Sequence, residues 1–123
     1  MVGTFAVTIE TGGVMDMDVM NVLVGSGTDV LLTFEDGIYP YDGVGVRASV
    51  TGSTQLDIPR QQLVVKHSTG VATGIGYGTG TISEAGDADI LLTVETAGVG
   101  PADAGSGGAP VVYHITGSRS TNP

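Results

Sequence analysis

The clearest alternation of apolar and polar positions runs from Asp29 to Glu35, reading Asp-Val-Leu-Leu-Thr-Phe-Glu. It returns sixty positions later, from Asp89 to Glu95, as Asp-Ile-Leu-Leu-Thr-Val-Glu. Successive side chains of a strand point to opposite faces, so Val30, Leu32 and Phe34 share one side, as do Ile90, Leu92 and Val94. The other side carries Leu31, Thr33 and Glu35, matched by Leu91, Thr93 and Glu95. Both copies read as strands with one strongly apolar face and one mixed face.

The repetition extends further. The segment from Phe5 to Gly12 lines up with Leu63 to Gly70, and Val46 to Ser53 with Val111 to Ser118. Between them, Met15, Met17 and Val19 alternate with Asp16 and Asp18, and the counterpart from Ala72 to Ser83 alternates Thr73, Ile75, Tyr77, Thr79 and Thr81 with glycines. The pattern predicts strands at roughly 4–11, 14–24, 28–35, 44–53, 60–69, 72–83, 87–96 and 109–119, four in each half. Half-repeats of 1–57 and 58–123 follow, with the junction around Pro59, in the stretch from Ser53 to Gln62. A half of this size would bury only about 60% of its unfolded surface. The two halves therefore share one core in a single domain, as an antiparallel β-sandwich or barrel of about eight strands. The expected interior is Phe5, Val7, Ile9, Val30, Leu32, Phe34, Val46, Val50, Leu63, Val65, Ile90, Leu92, Val94, Val111, Tyr113 and Ile115.

Composition supports the all-β reading and narrows the function classes. Gly numbers 21 and Lys plus Arg only 4, and no stretch keeps a 3.6-residue apolar period. The net charge of −9 argues against nucleic acid and against an anionic membrane as partners. No apolar run is long enough to span a bilayer as a helix. The first residues, Met1 to Thr4, carry neither a basic segment nor an apolar one, so no secretory signal is expected. The absence of Cys excludes disulfides and thiolate chemistry.

Gly74, Gly76, Gly78 and Gly80 in alternate positions form the most specific local feature. Glycine weakens strands, so such a row calls for close approach by something else. Two readings stand: a bent strand covered by large residues of the same chain, or a bare face that a partner covers. The spacing does not match a dinucleotide fingerprint, because no βαβ context follows. Tyr39 and Tyr41 flank Pro40 in a loop, where amphipathic rings make good contact material or lid the end of the domain. The carboxylate pairs Asp16 with Asp18, Glu35 with Asp36, and Asp87 with Asp89 fit no calcium-loop pattern and read as solvated turns and edges. His67 is expected to be inward and hydrogen-bonded, and His114 to be on the surface, with no nucleophile or acid nominated beside either. Catalytic residues, metal ligands and cofactors are therefore not assigned.

In overall character the chain resembles the head decoration (cement) proteins of tailed bacteriophages. The likeness lies in the Met1 start without a signal, the lack of Cys, Gly/Thr/Val strands such as Thr73 to Ile82, and an expected coil-like end from Gly117 to Pro123. The resemblance implies a virion protein, made in the host cytoplasm, that binds the major capsid protein or another virion protein. Such proteins often act as trimers and reinforce the head without catalysis. The alternative is a receptor- or glycan-contacting domain of a tail fibre or similar adhesin. Its contact tips would be the Tyr39–Tyr41 loop and the loop from Thr96 to Pro110.

Overall fold

The computed structural model describes residues 2–25, 27–40, 45–68, 70–96 and 110–119. Among these there is no helix, and nine strands are present: β1 (Gly3–Thr11), β2 (Val14–Val24), β3 (Asp29–Phe34), β4 (Ile38–Pro40), β5 (Val46–Thr51), β6 (Gln55–His67), β7 (Gly70–Ile82), β8 (Asp87–Thr96) and β9 (Val111–Arg119). Apart from β4, each strand pairs antiparallel with its neighbours in sequence, and β9 returns to pair with β1. The result is a closed eight-stranded barrel in an up-and-down meander, with β4 as one extra strand. Of the two architectures the alternation allows, the barrel is the one adopted.

Local chemistry explains the meander. The β1–β2 connection is Gly12-Gly13, with φ of 59° and 84°, the pair of positive values that a tight hairpin turn requires. Thr11 and Val14 then pair directly, and the register runs unbroken to Gly3 opposite Val22. The expected inward residues are buried, with Phe34, Val50 and Val111 half-buried against the rim of the same cluster. Met20, Val22, Ile38, Ala48, Leu56, Ile58, Ile82 and Ala88 complete the core. An eight-stranded barrel is just wide enough for side chains to fill it.

The stretch expected to join two halves is instead part of β6, the strand on which the barrel turns. Pro59 cannot donate to a ladder, and the chain accommodates it with a β-bulge. Ile58 and Gln61 lie three positions apart on β6, whereas their partners Gly78 and Gly76 lie two apart on β7. Both β4 and β5 pair with the same side of β6, β5 at Gln55–Asp57 and β4 at Leu63–Val65. Gln61 bridges the interval between them. Its Oε1 accepts from the Arg47 N–H at 2.9 Å, while its Nε2 donates to the Arg47 and Pro59 carbonyls at 2.8 and 2.9 Å. The amide side chain does there what a strand backbone does elsewhere.

The glycines of β7 allow the wall to curve tightly. A methyl group on Gly78 would collide with the Leu91 carbonyl, and one on Gly117 with the Ala6 carbonyl of β1. Leu92→Ala should therefore lower unfolding free energy by about 2–5 kcal/mol through cavity formation. Gly78→Ala should cost about 1–3 kcal/mol by overpacking against backbone that cannot rotate away. Denaturant titration measures both, and a loss below ~0.5 kcal/mol at either position would contradict its assigned environment.

Candidate functional site

Three places gather the chain's chemistry. The first is the glycine row. Gly74 and Gly76 are buried on the inner side of β7, opposite Leu63 and Gln61 of β6. A Cβ at Gly76 would strike the Leu63 side chain, and one at Gly80 would meet the Asp89 carbonyl and the Ile90 side chain at 2.7 Å. At Gly76, Gly78 and Gly80 the space a side chain would need is taken by Leu63 and by β8. The side of β7 that faces outward is the one bearing Thr73, Ile75, Tyr77, Thr79 and Thr81.

The second place is the barrel mouth where β1 ends and β2 begins. The parity that sends Met20 and Val22 inward also turns Asp16 and Asp18 toward the mouth. Both carboxylates serve loop amides. Asp16 accepts from the Ser68 N–H at 2.6 Å and from its hydroxyl at 2.7 Å. Asp18 accepts from the Gly37 N–H at 2.7 Å and the Asp36 N–H at 3.3 Å. Hydrogen bonding to Ser68 holds the Asp16 carboxyl below its usual range, with the nearby His67 adding to the effect. His67 is buried, as expected, with Nε2 at 3.0 Å from the Ile9 carbonyl and 3.5 Å from Asp16 Oδ2. A carbonyl only accepts, so the nitrogen facing it carries a proton. Among the described residues no three His, Cys, Asp or Glu side chains converge in a metal-ligand arrangement.

The third place lies outside, over the β6 bulge. There Pro59 and Arg60 stand proud of the ladder opposite Gly78, and a groove of about 450 Å³ lies over the bulge, bordered by Asp57, Tyr77, Thr79, Leu91 and Thr93. At one end Arg60 Nη2 meets Glu95 Oε1 at 2.6 Å, Tyr77 donates to Glu95 Oε2 at 2.9 Å, and the guanidinium lies 4.8 Å from the Tyr77 ring centre. Arg60 first, then Tyr77, draws the Glu95 carboxyl below its ordinary value, and bonding to Glu95 raises the Tyr77 phenol above its own. The trio is a clamp between β6, β7 and β8. Its individual members were visible in sequence, but only the bulge brings Arg60 to Glu95.

The remaining candidates separate. Tyr39 sits on β4 opposite Val64, 40% exposed, with Lys66 Nζ 5.8 Å from its ring centre. Tyr41 lies outside the described residues, as does nearly all of the loop between Thr96 and Pro110. His114 is on the outer wall, as expected, 2.7 Å from Asp89 Oδ1. No family model matches the chain, and neither does any curated protein or solved structure.

The hydrogen bonds set the acid behaviour. Ionised Asp16 has a folded-state value below its unfolded one, so its contribution is complete above pH of about 4 and is lost as pH falls through the lowered folded value. Ser68→Ala should move the Asp16 midpoint upward in a carboxyl-carbon NMR titration. Arg60→Gln should move that of Glu95 upward by more than Tyr77→Phe does. An unchanged Glu95 midpoint in Arg60→Gln would show that the clamp does not persist in solution.

Proposed function

We propose that this barrel is a virion structural protein, a capsid decoration protein that binds the assembled head and stabilises it without catalysis. The observation that carries the reading is the division of labour between the inside and the outside of the wall. The interior is filled mainly by apolar side chains, and Asp16 and Asp18 at the mouth and Arg60 and Glu95 at the groove are engaged with backbone amides or with each other. Large apolar side chains are nevertheless left outside, among them Met15, Met17, Leu91 and Val112. Such a protein acts through contact surfaces, and a rigid, Cys-free barrel suits a particle that must persist outside a cell.

A specific feature favours the second reading, a receptor- or glycan-contacting domain: the Tyr39 ring is 40% exposed on β4, with Lys66 Nζ beside it.

The test is co-sedimentation of purified protein with undecorated capsids, followed by heat or chelator challenge of the particles. Saturable binding at many copies per particle, with raised heat resistance, supports decoration. Failure to pellet, together with binding of the isolated protein to cell-surface saccharide, would replace it with the adhesin reading.

A further inference from the structure

Strand β2 makes a choice that its composition does not require. Shifting its register by one residue would exchange its two faces, burying Met15, Met17 and Val19 and exposing Asp16 and Asp18. The fold does the reverse. The carboxylates are spent on the amides of Ser68, Asp36 and Gly37, and the methionines are sent to the outer wall, where Met15 is 67% and Met17 86% exposed. Methionine is unbranched and polarisable, and adapts to varied apolar contacts. Two of them on one outer strand make a soft strip.

The setting of that strip is one-signed. Strands β1, β2, β3 and β8 contain no Lys or Arg, and β9 contains only Arg119, at its end. Arg119 pairs with inward-facing Phe5, its guanidinium 5.4 Å from that ring centre. Met15 stands opposite Glu10 on β1, and on the other flank the Glu35 N–H bonds the Val19 carbonyl of β2. Farther round, Asp89 holds His114, which lies opposite Glu10. Around the strip, the charged side chains of the outer wall are thus Glu10 and Glu35, with no Lys or Arg on β1, β2 or β3.

We propose that the outer β1–β2 face is a docking surface for a basic, apolar-bearing surface of another protein, with Met15 and Met17 as the apolar contacts and Glu10 and Glu35 as the charged rim. This rests on the contact-protein reading above and names its face and the chemistry of its partner. Charge selects the occupant. A second copy would bring the same Glu10 and Glu35 against the first, whereas Lys or Arg beside apolar side chains satisfies both parts of the face.

Methyl-labelled methionine NMR tests this directly, because fully buried Met20 on the same strand is an internal control. The probe is a synthetic peptide of alternating Lys and Leu, compared with its Glu/Leu counterpart. The Met15 and Met17 methyl signals should shift saturably with the Lys/Leu peptide only, while Met20 stays in place. The double variant Met15→Ser, Met17→Ser should bind about tenfold more weakly. Glu10→Gln with Glu35→Gln should weaken binding and flatten its salt dependence. Unchanged affinity in the serine variant, equal binding of the Glu/Leu peptide, or no methyl shifts would overturn the proposal. Shifts that follow protein concentration alone would also overturn it, by making the occupant a second copy. Capsid co-sedimentation separates the two layers of inference. Equal pelleting by wild type and serine variant removes the face and leaves decoration standing. Absence of wild-type pelleting beside a positive peptide map does the opposite.

Discussion

The bulge at Pro59–Arg60, tied down by Gln61, is the constraint on which the rest of the barrel depends. Before it, even-numbered residues of β6 point inward, Leu56 and Ile58; after it, odd-numbered ones do, Gln61, Leu63, Val65 and His67. A strand of thirteen residues without that change of phase would place Leu63 and Val65 in water and break the core at its middle. The bulge leaves the Arg47 N–H and C=O without strand partners, and a buried amide group left unpaired costs about 1–3 kcal/mol. Gln61 supplies both partners from one side chain and adds a bond to Pro59. The same irregularity lets β4 and β5 share one side of β6, and lifts Arg60 to where it reaches Glu95.

A barrel this small has little interior to spare, and glycine placement follows from that. Leu63 occupies the space that a side chain at Gly76 would need, and the β8 backbone occupies the space beside Gly78 and Gly80. The row of glycines is therefore a consequence of tight curvature with a large neighbour inside. Polar groups are displaced to the ends and the outer wall. At the mouth Asp16, Asp18 and His67 complete the hydrogen bonding of loop and strand-end amides and carbonyls, which is structural work.

Much of this was legible in the chain because a period of two leaves few ways to arrange a strand. The alternation at Val30, Leu32 and Phe34, and at Ile90, Leu92 and Val94, identified inward faces directly, and the turn glycines marked the ends. The β6 bulge was illegible for a physical reason: Pro59 signals a break and a bulge equally well, and Gln61 looks like an ordinary junction residue until its three partners are in place. Strand β4 was hidden within a Tyr–Pro loop because three residues carry too little alternation to register. Strand β2 was half legible. Its alternation was plain, but the side facing inward is decided by Met20 and Val22, deeper in the barrel, and not by the methionines near its start.

Charge placement links these structural demands to the outer surface. The chain has 4 cationic residues against 13 acidic ones, and three of those cations lie over aromatic rings: Arg60 over Tyr77, Lys66 over Tyr39 and Arg119 over Phe5. The negative face of each ring attracts the cation above it. These contacts hold positive charge at β6 and at the end of β9. On the outer β1–β2 face the charged side chains are Glu10 and Glu35, so the field there is negative. Self-repulsion of this kind disfavours contact between like copies and speeds encounter with a cationic surface. The parity of β2, imposed from the core, then decides that the side chains standing in that field are methionines.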